Sequence, residues 1–142
     1  LAPLNFLARR LLSNNKQVRL LFSPRRDGKL LDAMPDELRV RISVSYADNR
    51  ASLPDALISS LADGVDRVFS CGPVGLMKTV AEISNVNNIP CQLSMEEHMA
   101  CGIGICLGCA VAIRGEHGIV YKKVCKDGPI FPAEEVAFDE RS

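Results

Sequence analysis

The stretch Arg67-Val68-Phe69-Ser70-Cys71-Gly72-Pro73-Val74-Gly75-Leu76-Met77 passes from a short apolar segment, through Gly-Pro, into residues whose apolar members return at helical spacing. Residues 67–71 have the length of a buried strand. Gly72-Pro73 breaks it, and Val74, Met77, Val80 and Ala81 mark one face of the helix that follows. A strand feeding a helix is the unit of α/β folds, and the carboxyl edge of their strands is where they bind ligands. Cys71 stands at that edge.

The same grammar continues on both sides. Leu4, Leu7, Leu11 and Leu12 after Pro3 predict an amphipathic helix over 3–13, ended by Asn14-Asn15. Val18 to Phe22 predicts a buried strand, and Ser23 to Gly28, with Pro24, a loop. Leu38, Val40, Ile42, Val44 and Tyr46 alternate with polar residues and predict a strand over 38–46. Ser52 opens a further helix with Leu57, Ile58 and Leu61 as its buried stripe and Gly64 as its stop. Pro90 to Leu93 is strand-like, with Cys91 a small buried hydrophobe. Residues 1–96 therefore read as a doubly wound parallel α/β sheet domain.

Composition narrows the function. Seventeen basic residues balance seventeen acidic ones, which gives no electrostatic basis for binding nucleic acid or an anionic membrane. No run approaches the roughly 18 apolar residues of a membrane span, and no signal peptide is legible. The expectation is a cytoplasmic protein. The chain opens at Leu1 without methionine and enters an apolar segment at once, so we expect it to be part of something longer. Six cysteines in 142 residues call for a use other than disulfides in a reducing compartment.

After Glu96 the pattern changes. Cys101, Cys106 and Cys109 form C-x4-C-x2-C, and Cys125 follows after fifteen residues. That is the plant-type spacing of a 2Fe-2S site, two thiolates per iron. Gly102, Gly104 and Gly108 let the backbone wrap closely and aim N–H groups at sulfur. Ile103, Ile105 and Leu107 are expected to cover the cluster against water. Two β-like pieces, 110–114 and 119–124, flank a turn at 115–118. Residues 97–142 thus form a small β-rich unit that needs a staple to hold together. Structural zinc is the competing use of four cysteines, although only one C-x2-C pair is present. A disulfide framework lacks the secretory context it needs. The glycine spacing does not match a dinucleotide loop. His98 and His117 are isolated, and Glu96-Glu97 receive no chemical role.

Met95 to Cys109, followed by Val124-Cys125-Lys126-Asp127-Gly128-Pro129-Ile130-Phe131, resembles the electron-transfer subunit of the NAD-linked, class B dihydroorotate dehydrogenases. Cys71-Gly72-Pro73 with Met77 resembles the strand end at which the ferredoxin reductase superfamily brings nicotinamide to flavin. The resemblance implies cofactor contacts at Cys71, Gly72, Pro73 and Met77, and cluster ligation by Cys101, Cys106, Cys109 and Cys125. It also implies an N-terminal FAD barrel, a first Rossmann-type strand and a Gly-rich turn, none of which is in this sequence. The nucleotide-binding domain, 1–96, is therefore expected to be incomplete, and the cluster site in the 2Fe-2S domain, 97–142, to be untouched.

The implied partner is an FMN-containing catalytic subunit in a heterotetramer. The resemblance places the base for dihydroorotate on that subunit, which fits a chain with no acid–base pair of its own. The implied relay takes electrons from FMN through the cluster and FAD to NAD+ in pyrimidine synthesis. Arg25 and Arg26 lie where this fold reads the adenosine ribose, and the choice of NAD over NADP follows from the resemblance alone. Related reductases that serve hydrogenase, sulfite reductase or ferredoxin share the cluster pattern. Several have Gly-His before the third cysteine, where this chain has Leu107-Gly108.

Overall fold

The computed structural model describes residues 2–23, 34–39, 41–47 and 51–140. They form two compact units, Leu1–Val65 and Asp66–Ser142.

In the first unit, helix α1 (Ala2–Ser13) leads to strand β1 (Arg19–Phe22), the short helix α2 (Asp36–Arg39), strand β2 (Ser43–Tyr46) and helix α3 (Leu53–Leu61). The expected first helix and strand are present. Asn15, at φ 57, ends α1 in the left-handed region that asparagine tolerates. β1 and β2 run parallel, Arg19 opposite Ser43 and Phe22 opposite Tyr46. Ala8, Leu12, Met34, Leu38 and Ile42 form the core, with Val18, Leu20, Phe22 and Val44 packed on it. Of the expected loop only Ser23 is described; Arg25 and Arg26 lie outside the described residues.

Two expectations are corrected here. The strand over 38–46 is confined to 43–46, because Leu38 belongs to α2 and Arg41 donates its N–H to Leu38 O at 3.1 Å. Pro35 followed by Asp36 and Glu37 is a helix start, and acidic groups there favour the helix dipole. A spacing of four buries Leu38 and Ile42 together in a helical turn as readily as in a strand. In α3 the buried residues are Leu53, Leu57 and Leu61, and Ile58 is 52% exposed. The stripe follows the i, i+4, i+8 line, which leaves Ile58 one step off it. Gly64 does terminate this helix at φ +77. Arg19 closes the end, its guanidinium donating to Ser60 O, Asp63 Oδ2 and Gly64 O at 2.9–3.0 Å.

In the second unit, β3 (Val68–Cys71), helix α4 (Val74–Val86) and β4 (Cys91–Ser94) make a strand–helix–strand unit. β3 and β4 are parallel, with Val68 opposite Cys91 and Cys71 opposite Ser94. The hairpin β5 (Ala110–Gly115) and β6 (Gly118–Lys123) follows, then the single turn α5 (Val124–Asp127) and β7 (Ile130–Pro132). β7 adds to β4 antiparallel, Gln92 opposite Pro132 and Ser94 opposite Ile130. This pairing runs across the 96/97 position, so the strand–helix–strand element and the cysteine segment share one compact unit. After β7 the chain returns along β5, where Ala137 N–H donates to Ala112 O at 3.0 Å and Ile113 bridges Val136. Met77, Leu93, Met95, Val111, Ile113 and Val136 are the largest apolar side chains closed off from solvent. No described helix is long and apolar enough to cross a membrane.

Candidate metal centre

Residues 95–109, between β4 and β5, form an irregular loop. Met95 anchors its start, buried and donating its N–H to Pro129 O at 2.9 Å. Gly102 and Gly104 take φ values of +68 and +81, a region L side chains rarely enter. Bent in this way, the loop turns its backbone donors towards sulfur. Cys101 Sγ accepts N–H groups from Cys106, at 3.4 Å, and from Ile103 and Ile105. Cys106 Sγ accepts Gly108 N–H at 3.4 Å. The backbone at Gly108 comes close enough that a methyl group there would meet Ala100 Cβ at 3.1 Å.

The second arm is α5. Its N-terminus is fixed by Val124, buried and donating its N–H to Cys109 O at 3.0 Å. The Asp127 carboxylate accepts Lys123 N–H at 2.8 Å and closes the turn that carries Cys125. Because Ala110 is paired with Lys123 in the hairpin, Cys109 and Cys125 emerge side by side.

The four sulfurs fall into two pairs. Cys101 Sγ and Cys106 Sγ are 3.2 Å apart, and Cys109 Sγ and Cys125 Sγ are 3.3 Å apart. All are free thiols. Two thiolates on one tetrahedral metal with bonds of about 2.3 Å stand roughly 3.8 Å apart, so a small opening of each pair admits a metal. Among the described residues no group of three or more His, Cys, Asp or Glu converges on a single point. Two sulfur pairs suit two irons, each with two protein sulfurs, better than one tetrahedral zinc.

The donors also act on charge. The N–H of Cys106, then that of Ile103, and the Cys106 thiol pull the Cys101 thiol down to about 6. Cys125 moves the other way, raised by its hydrogen bond with Cys109 and by burial. A loop that already favours thiolate at Cys101 is suited to an electron-poor metal.

Ile103, Ile105 and Leu107, expected to shield the cluster, are instead 70%, 79% and 70% exposed. With the peptide N–H groups turned inward to sulfur, these side chains are directed out. Met99 is also exposed, so the loop carries an apolar rim. His98 and His117 are exposed as well.

At the end of β3, Cys71 is half-buried, with Sγ 3.5 Å from Glu96 Oε1. Burial, and then the hydrogen bond and charge of Glu96, push this thiol up. Gly72 follows, and Pro73 O accepts Leu76 and Met77 N–H at the start of α4. Met77 is 1% exposed, so its side chain has almost no surface for a ligand. Cys91 is buried as expected, its thiol raised to about 11 chiefly by desolvation. Sequence reading gave Glu96 no role. The signal available was the parallel register, which brings the ends of β3 and β4 together.

Residues 96–137 match the family described as the iron-sulfur cluster binding domain of dihydroorotate dehydrogenase B. The chain is 39% identical, over 97% of its length, to a dihydroorotate dehydrogenase B (NAD(+)) electron transfer subunit from Caldanaerobacter subterraneus subsp. tengcongensis, covering 56% of that protein. It is 48% identical over 51% of its length to a probable subunit of the same description from Methanocaldococcus jannaschii, covering 26% of that protein. The chain thus spans about half the length, or less, of these curated relatives. A solved structure, that of NADH-dependent reduced ferredoxin-NADP oxidoreductase, superposes with a TM-score of 0.76 at 26% identity, over 96% of this chain and 50% of that one. The fold is accordingly a mixed α/β arrangement of ferredoxin-reductase type. Residues 96–137 are thus similar to the iron-sulfur cluster binding domain of dihydroorotate dehydrogenase B, and the chain is similar along nearly all its length to electron transfer subunits of that description, of which it spans about half.

Proposed function

We propose that this chain is the cluster-bearing portion of a dihydroorotate dehydrogenase electron transfer subunit, passing electrons from an FMN-containing catalytic subunit towards FAD and NAD+ in pyrimidine synthesis. The observation that carries the reading is the division of Cys101, Cys106, Cys109 and Cys125 into two close sulfur pairs within a loop of inward N–H donors. A 2Fe-2S cluster supplies one-electron transfer when bound. The residues of this chain hold it: Cys101 with Cys106 on one iron, and Cys109 with Cys125 on the other. Backbone N–H groups offset the charge on sulfur.

Residues 97–142 act as the cluster domain, and 1–96 as a nucleotide-binding domain of doubly wound type. The nicotinamide end of NAD is assigned to Cys71, Gly72 and Pro73, at the carboxyl edge of β3, with Met77 in the helix that follows. FAD is assigned mainly to the portion of the relatives that this chain does not span. The exposed Met99, Ile103, Ile105 and Leu107 form an apolar rim beside the cysteines, a suitable seat for the catalytic subunit in a cytoplasmic heterotetramer.

The test is anaerobic mixing of the cluster-loaded chain with an FMN-containing dihydroorotate dehydrogenase catalytic subunit and dihydroorotate. Bleaching of the visible cluster band is expected. A band that dithionite bleaches and the reduced partner does not would contradict the assignment.

A further inference from the structure

Gly104 is where the cysteine loop touches the other arm of the cradle: its N–H donates to Cys125 Sγ. A methyl group built on Gly104 would stand 2.8 Å from Cδ and 3.1 Å from Cβ of Lys126. The aliphatic stem of Lys126 therefore lies across Gly104, in the space a side chain would take. Gly102 has a similar φ, yet nothing stands within 4 Å of a methyl group there. The approach of α5 is thus particular to Gly104, since Gly108, the other closely approached loop glycine, meets Ala100 of its own loop. Lys126 is exposed, so it keeps its charged head in water while its stem covers backbone. Its neighbour Asp127 is engaged by Lys123 N–H.

We infer that Lys126 is a positioning residue of the cluster site, its stem clasping Gly104 against α5 and its ammonium supplying positive charge beside Cys125. The inference rests on the cluster reading given above. The clasp keeps Gly104 N–H directed at the Cys125 sulfur and joins the arm carrying Cys101 and Cys106 to the arm carrying Cys125. A cluster that accepts one electron gains one negative charge, so a nearby cation favours its reduced form and raises its potential.

Stem and charge are separable by substitution in the full chain, purified anaerobically with its cluster. Lys126→Met keeps the stem and removes the charge. Its midpoint, titrated through the visible spectrum, is expected to move to more negative potential, while Lys126→Arg stays at the wild-type value. Lys126→Ala removes the stem as well, and its cluster is expected to bleach severalfold faster in a ferrous-iron chelator than that of the wild type or Lys126→Met. A wild-type midpoint in Lys126→Met overturns the electrostatic role. A wild-type bleaching rate in Lys126→Ala overturns the clasp. A wild-type chain that takes up no cluster at all overturns the functional reading, and with it the premise of this inference.

Discussion

Val124 donates its backbone N–H to the carbonyl oxygen of Cys109 at 3.0 Å, tying the turn that bears Cys125 to the residue that closes the cysteine loop. One hydrogen bond thereby couples ligands separated by fifteen residues of hairpin, and the hairpin register sets the distance between them. The cluster site is on this account a property of the β5–β6 ladder as much as of the loop, and its weak points lie in α5.

Asp127 is the first of these. Its carboxylate accepts Lys123 N–H, and Asp127→Ala removes that acceptor. The change is expected to cost about 1 kcal/mol of stability and to speed cluster loss. Asp127→Asn, which keeps an oxygen acceptor, is expected to lie between it and wild type. Urea unfolding of the cluster-free chain and iron content after gel filtration measure the two effects.

Gly128 is the second. Its φ of −116 is open to any residue, so the constraint is steric. A methyl group there would stand 2.5 Å from the Phe131 ring and 3.2 Å from Val124 O. Gly128→Ala is expected to destabilise the second unit by about 1–3 kcal/mol and to displace Cys125. A variant with wild-type stability and iron content would show that Phe131 yields freely.

The cluster-free thiols should differ in reactivity. With Cys101 near 6 and Cys91 near 11, at pH 7 the first is mostly thiolate and the second almost wholly thiol. Alkylation of Cys101 by iodoacetamide is expected to fall as pH drops through about 6. Cys91 should stay unmodified until the chain unfolds. Peptide mass spectrometry across pH 5–9 reads both.

Glu96 holds the Cys71 thiol above its ordinary range, after the larger effect of burial. Glu96→Gln removes the charge and leaves the burial. The Cys71 thiol is expected to move down, so that its alkylation at pH 8 becomes faster than in wild type. A slower rate would mean that Glu96 does not act on Cys71 through its charge.

The strand–turn–helix at 67–86 was legible because Gly72-Pro73 separates a short apolar run of strand length from a run with helical periodicity. The cysteine spacing was legible because metal chemistry fixes ligand number and reach independently of the fold. Leu38 and Ile42 were ambiguous, since a spacing of four suits both periods, and Pro35-Asp36-Glu37 decided for the helix. β7, three residues long, carries no period and forms only through its long-range partner β4. The outward direction of Ile103 and Ile105 is not legible in the sequence, because apolar residues beside a metal site look like cover, whereas the inward peptide groups direct them out. The Cys71–Glu96 contact spans 25 positions and leaves no local trace.

Whether the four paired sulfurs hold a 2Fe-2S cluster is decided by metal analysis of the anaerobically purified chain. About two irons and two sulfides per chain, with a reddish band that bleaches on dithionite, are predicted. Stoichiometric zinc in a colourless protein that resists reconstitution with iron and sulfide would contradict the cluster assignment.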